Sequence, residues 1–134
     1  MKTADAPMKR AALLLLDDLF HALHLGIIIF FLFGWTIRET RPAHYALPLL
    51  ILLSWYGLGA FRGFGYCIIT DIQWSIKKRL GNKPSTEYYI KYLIDNITGL
   101  DTRANIVNGV TTYTYFIILI LSTILLLVSN IHYE

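Results

Sequence analysis

The 134-residue chain contains a single cysteine, Cys67, and charged residues make up only 16% of it. One cysteine excludes an intrachain disulfide, so no framework of bridges holds the fold together. The low charge, the 55% of hydrophobic residues and a mean hydropathy of +0.50 leave too little polar surface for a soluble domain of this length. The composition therefore indicates a small polytopic membrane protein, stabilised by helices that pack in lipid.

The sequence also lacks a signal-peptide cleavage site and a phosphate-binding loop. Lys2, Lys9 and Arg10 precede an apolar stretch, but this stretch is too long for a signal peptide and no small-residue cleavage site follows it. It is therefore interpreted as an uncleaved first span. Without a phosphate loop, and with its basic residues along lipid-facing helices, the chain has no feature of a hydrolase, a nucleotide-binding protein or a nucleic-acid-binding protein.

Three segments are long enough to cross a bilayer, which needs about 20 helical residues at about 1.5 Å each. These segments cover about 13–36, 44–61 and 110–129. Pro42 lies between the first two and stops a helix from running through, so they are predicted to form an antiparallel hairpin. The sequence thus predicts an all-α membrane protein with a single polytopic domain over residues 1–134.

Two amphipathic helices are predicted between the second and third spans, at about 68–80 and 86–98. The apolar residues of the first recur at helical spacing, at Ile69, Ile72, Ile76 and Leu80. Its end is basic, with Lys77, Lys78 and Arg79. Both helices are too short and too polar to span a bilayer. They are expected either to lie among lipid headgroups, with these cations on anionic lipid, or to cap the bundle or dock on a partner.

The distribution of Lys and Arg predicts the orientation in the membrane. The N-terminal tail has three of the 12 basic residues and the turn at 38–42 has two. The segment 62–109 has the other seven, namely Arg62, Lys77, Lys78, Arg79, Lys83, Lys91 and Arg103. The N-terminus and the 62–109 segment are therefore predicted to be cytoplasmic, and the C-terminus periplasmic.

The first apolar run contains four ionisable residues, Asp17, Asp18, His21 and His24. At the centre of a bilayer a carboxylate costs about 2.5 to 3.5 kcal/mol, whereas each Leu or Ile returns only about 0.3 to 0.6 kcal/mol. At about 100° per residue the four side chains form one polar stripe on the helix. The stripe is expected to face the protein interior, where Arg62 could neutralise an aspartate and Cys67 could approach from the same end.

The residue types of the stripe leave three roles open. Ion pairs and hydrogen bonds to neighbouring helices would fix the helix register. A carboxylate beside an imidazole would make a proton-handling or small-ligand site. Asp17, His21, His24 and Cys67 would be a chemically sensible zinc tetrad, but the pattern lacks a second paired motif, so no metal is expected.

No cofactor is predicted. Six-coordinate haem in a small bundle needs two imidazoles at matching depth on different helices, yet His44 and His132 lie at the outer boundary of the predicted spans. The helix from His24 to Thr36 rises about 18 Å, so His24 cannot share a haem with either of them. Haem would therefore require a second ligand from a partner chain.

The order of motifs resembles a known family. Asp18 and His24 in the first span, followed by a Gly-rich approach to the Cys-x-x-Thr motif at Cys67 to Thr70, resemble the uncharacterised bacterial membrane family called domain of unknown function 2784. The downstream order is also similar, with a basic segment ending in glycine at 75–81 and a short aromatic stretch at 87–93. The resemblance covers most of the chain from residue 14 to about residue 100.

The resemblance implies an inner-membrane bacterial protein with no established activity. It favours Asp18, His24 and Cys67 as a site. Family members usually have proline after the cysteine and an acidic residue after the threonine motif, where this chain has Ile68 and Gln73.

Two functions are considered from the sequence. The first is a non-enzymatic accessory or interaction subunit of a larger membrane complex, because three short spans bury little area and partner helices would cover the stripe. The second is a membrane redox or proton-transfer component in which Asp18 and His24 relay a proton and Cys67 reacts from the cytoplasmic side.

Overall fold

The computed structural model of the chain describes residues 5–131, and every regular element in this range is helical. Helix α1 is Asp5–Phe33, and 3₁₀ turns at Gly34–Thr36 and Arg38–Thr40 reverse the chain. Helix α2 is Arg41–Leu52 and continues through a π-helical segment, Leu53–Leu58, into α3, Gly59–Arg62. The remaining helices are α4, Ile68–Arg79, α5, Tyr89–Thr98, and α6, Ala104–Ile131.

Three helical stretches are long and apolar enough to cross a membrane, Ala6–Thr36, Arg38–Arg62 and Ala104–Asn130. They confirm the predicted all-α membrane architecture, and α4 and α5 confirm the two short helices predicted between the second and third spans. All three stretches begin earlier than predicted. Hydropathy identifies only the apolar part of a helix. The Ala, Met, Lys and Arg residues before the first apolar run are also good helix formers, so α1 begins before that run. Pro42 does not delay α2, because it lies in the first turn, where a missing amide hydrogen is tolerated.

A buried histidine joins the three long helices. His44 of α2 is fully buried, and its Nε2 donates to the Phe31 carbonyl of α1 at 2.8 Å. Its Nδ1 is then the acceptor for the Ser122 hydroxyl of α6, at 2.9 Å. Tyr115 of α6 also donates from its hydroxyl to the Pro48 carbonyl of α2, at 2.8 Å. Because lipid offers no hydrogen-bond partners, these bonds hold the spans in register.

Helix α4 packs antiparallel along the middle of α1. His24 of α1 contacts Thr70 of α4, and Asp17, seven residues earlier on α1, contacts Lys77, seven residues later on α4. This is the expected alternative in which the helix packs on the bundle. Its buried face is largely polar, however, and Ile72 of the predicted apolar stripe is 45% exposed. Polar side chains of α4 turn inward because the polar stripe of α1 offers them partners.

The end of α5 is fixed by a cluster around Asp95. Its carboxylate accepts hydrogen bonds from the Lys91 ammonium group and from both the backbone amide and the hydroxyl of Thr102. Lys91 also donates to Asp101 at 2.7 Å. Hydrogen bonds from Lys91 and Thr102 lower the pKa of Asp95 to about 2.

The Asp95 cluster is expected to open at acid pH. A pKa lowered in the folded state means that Asp95 stabilises the fold above its ordinary value of 3.8, and that this stabilisation is lost as the pH falls from about 4 to about 2. We expect the hydrogen-exchange protection factor of the Thr102 amide, corrected for intrinsic exchange, to be lower at pH 2.5 than at pH 5. An Asp95→Asn variant should show low protection at both values. Equal protection of the wild type at the two pH values would contradict this.

Candidate functional site at the junction of α1 and α4

His24 is the centre of the candidate site. Its side chain is 6% exposed, and its Nδ1 donates to the Phe20 carbonyl at 3.0 Å. A carbonyl can only accept, so the neutral ring keeps its proton on Nδ1 and Nε2 is an acceptor. Nε2 lies 3.2 Å from the Thr70 hydroxyl, which therefore donates to it. The ring also stacks on Tyr89, with a centroid distance of 3.8 Å. The two hydrogen bonds and this stacking contact together fix the orientation of the imidazole ring.

Cys67 lies at the same place, immediately before the first residue of α4. Its backbone is extended, its side chain is half-buried, and its sulfur makes no conventional capping hydrogen bond. Burial raises the pKa of the thiol, but hydrogen bonds to the thiolate from His24, once its Nε2 has taken the thiol proton, from Thr70 and from the Ile69 amide outweigh burial and lower the pKa to about 7. A substantial fraction of the thiol is therefore ionised near neutral pH. Thiolate is the reactive form of cysteine.

A buried ion pair lies about three helical turns from the thiol along α4. The Asp17 carboxylate accepts from the Lys77 ammonium group at 2.7 Å and from the Gln73 amide at 3.2 Å, and His21 Nε2 lies 3.9 Å from it. Burial opposes the charge on Lys77, but hydrogen bonds with Asp17 and Tyr92 outweigh it and raise the pKa of Lys77. Lys77 thus stays charged, which a buried lysine does only when it is paired.

Aromatic rings of α5 close the cluster. His21 Nδ1 lies 3.0 Å from the Tyr89 hydroxyl, and its ring stacks on Tyr92 with a centroid distance of 5.8 Å. Trp74 of α4 meets the Tyr92 ring edge-on at 5.0 Å. Sequence reasoning did not assign Thr70, Gln73 and Tyr89 to this site. Helical spacing could have identified Thr70 and Gln73. Residues 70, 73 and 77 are separated by three and four positions, so their side chains share one face of α4.

The structure does not bring all the predicted site residues together. Asp17, His21, His24 and Cys67 line one junction, but the side chain of Asp18 is exposed. Arg62 lies with its guanidinium 5.8 Å from the centroid of the Tyr66 ring, and Lys77 takes the place expected for it beside Asp17.

The packing of the helices also bears on the residues predicted to bind lipid headgroups and on the candidate metal and haem ligands. Lys77 is 7% exposed, which removes it from the proposed headgroup-binding residues and leaves Lys78 and Arg79 on the surface. Asp17, His21, His24 and Cys67, the candidate zinc ligands, form no group that could hold a metal ion within residues 5–131. His44 uses both ring nitrogens in hydrogen bonds, and His132 lies outside the described residues.

These features define a class of protein, a small all-α membrane protein with three spans and a polar, thiol-containing cluster beside the middle of its first helix. The chain belongs to the family described as Protein of Unknown function (DUF2784), whose model matches residues 14–128. The match confirms the family resemblance and extends it through the third span. No curated protein and no solved structure matches the chain.

Proposed function

We propose that this protein is a membrane-bound thiol protein in which Cys67 carries out thiol–disulfide exchange. The observation that supports this best is the position of Cys67 immediately before α4, whose Thr70 contacts His24 of α1, together with a thiol pKa of about 7. A thiol with a pKa near the ambient pH combines a high thiolate fraction with high nucleophilicity, which is the optimum for attack on a disulfide.

The exchange step needs no oxidant other than the disulfide itself. The Cys67 thiolate attacks one sulfur of a disulfide on a partner protein or small molecule, a mixed disulfide forms, and the second sulfur leaves as a thiolate. His24 Nε2, an acceptor in the neutral ring, takes the thiol proton before attack. Because the chain has one cysteine, a thiol from another molecule must resolve the mixed disulfide.

We further infer that the protein lies in a bacterial inner membrane, with the N-terminus and the 62–109 segment in the cytoplasm and the C-terminus in the periplasm. The excess of Lys and Arg in the tail and in this segment supports the orientation. Cys67 then belongs to a reducing compartment, where disulfides are typically transient and either catalytic or redox-sensing.

The orientation predicts which membrane face exposes Cys67. A membrane-impermeant disulfide reagent should modify Cys67 in inverted inner-membrane vesicles and leave it unmodified in right-side-out vesicles. A Cys67→Ser protein gives the background, since no other thiol exists in the chain. Modification only in right-side-out vesicles would reverse the proposed topology.

Trapping of a mixed disulfide tests the proposed chemistry. We expect membranes quenched with N-ethylmaleimide to contain the protein in a covalent complex that reductant dissolves and that Cys67→Ser abolishes. An intermediate accumulates when its resolution is slow, so the exchange should also be run with purified protein and glutathione disulfide. Failure to form the glutathione adduct at pH 7 would reject the proposal.

A second candidate is an accessory or interaction subunit of a larger membrane complex. It is supported by the end of α3 and the loop that follows it, where Phe61 and Phe64 are 89% and 76% exposed. Purification in detergent with reductant present separates the two functions. A companion chain that survives reductant, and is lost when both phenylalanines are changed to serine, would support a non-covalent subunit, whereas a monomer would argue against it.

A further inference from the structure

The polar cluster contains a buried acceptor that lacks a donor. Gln73 is 0% exposed, its amide nitrogen donates to Asp17, and none of the residues the structure describes donates to its Oε1 atom. The two ends of the amide are not interchangeable here, because a carboxylate only accepts and so must face the nitrogen. Buried acceptors in folded proteins are almost always satisfied. Acyl chains cannot supply the missing donor.

We propose that a water molecule binds within this cluster and donates a hydrogen bond to Gln73 Oε1. The donor must be small, since the Gln73 side chain is completely buried. A buried water also needs two to four polar partners. We assign it Asp17 Oδ1, which already accepts from the Gln73 amide nitrogen, and His21 Nε2 as further partners, because the 3.9 Å between these two atoms is too long for a direct hydrogen bond.

The surrounding bonds assign each group a direction. The water donates to Gln73 Oε1 and to Asp17, and it accepts from His21, whose proton is on Nε2. Tyr89 then donates from its hydroxyl to His21 Nδ1, at 3.0 Å. Burial, with a smaller contribution from Tyr92 and Asp17, raises the pKa of Tyr89 to about 12, so the hydroxyl keeps its proton at neutral pH.

A water in this position changes what the cluster can do. Water both accepts and donates protons, so it connects the Asp17 carboxylate to the His21 ring and gives these two groups a route for proton exchange. Gln73 holds the water and is a positioning residue. The inference is independent of the reactivity of Cys67, which lies two turns away along α4.

The carbonyl stretch of Gln73 tests whether Oε1 accepts a hydrogen bond. Gln73 is the only glutamine in the chain, so ¹³C-labelled glutamine places a single labelled carboxamide in the protein. In detergent we expect its infrared band at the frequency of glutamine in water. The Gln73→Met protein lacks the band and serves as the blank. A band at the higher frequency of an amide in dry apolar solvent would overturn the proposal.

Nuclear magnetic resonance tests whether the donor is water. With ¹⁵N-labelled glutamine, the side-chain amide protons of Gln73 should show a direct cross-peak to a long-lived water. The cross-peak should persist in Tyr89→Phe and Tyr92→Phe proteins. Its persistence would exclude magnetisation transfer to water through the exchanging hydroxyl proton of either tyrosine. Loss of the cross-peak in these variants, or a hydrogen-bonded carbonyl without any cross-peak, would mean a different donor and would reject the bound water.

Discussion

Replacing His24 with glutamine is expected to slow the reaction of Cys67 with an aromatic disulfide about threefold at pH 7. His24 is one of the groups that lower the pKa of the thiol to about 7. Without it the pKa should rise toward the ordinary value of about 8.5, so only a few per cent of the thiol is ionised. The higher intrinsic nucleophilicity of the more basic thiolate recovers only part of that loss.

The measurement is the pH dependence of the second-order rate constant, which should have its midpoint near pH 7 in the wild type and move upward in His24→Gln. Asp18→Asn is the matched control, because it removes an exposed carboxylate from the same helix and should leave the profile unchanged. Thr70→Val should give a smaller shift, since the hydroxyl is one of several groups acting on the sulfur. Identical profiles for the wild type and His24→Gln would remove His24 from the site.

Replacing Lys77 with methionine is expected to destabilise the protein by about 3 kcal/mol, because it leaves Asp17 as a buried and unpaired carboxylate. The two side chains are 9% and 13% exposed, so solvent screens their interaction weakly. Removing both charges, in an Asp17→Leu and Lys77→Met protein, should recover most of that loss, since an apolar pair of similar size avoids the cost of desolvation.

The free energy of unfolding in detergent, from denaturant titration, gives these differences directly. Lys78→Met is the control, because it removes a neighbouring and exposed lysine of the same helix. It should change the free energy of unfolding by no more than about 0.5 kcal/mol. Equal effects of Lys77→Met and Lys78→Met would show that the ion pair does not stabilise the fold.

The spans could be predicted because hydropathy and length determine which helices suit a bilayer. The orientation of α4 could not be predicted in the same way. Its stripe of isoleucines indicated an apolar face, but in a membrane protein such a face also suits the lipid-facing side, and Ile72 remains exposed. The inward face is selected by the polar groups of α1, and periodicity does not reveal this pairing.

Some residues of the site could be predicted from the sequence, whereas the pairing between residues of different helices could not. His24 and Cys67 have unusual chemistry for their surroundings, and the sequence analysis assigned both to the same site. The partner of Asp17 was one of seven basic residues in a long segment, and charge alone does not distinguish Arg62 from Lys77. Helix α4 makes the choice by running antiparallel to α1, which places Lys77 beside Asp17 once Thr70 is beside His24.

The long separation between Asp17 and Lys77 also has a consequence for biosynthesis. The ribosome makes Asp17 first and adds 60 further residues before Lys77 exists. At about 5 to 20 residues per second this takes about 3 to 12 seconds. During that interval the newly made first helix enters the membrane with its carboxylate lacking a counter-ion, so its insertion relies on water or on the insertion machinery. A nascent chain that stalls before α4 emerges would keep that charge unpaired.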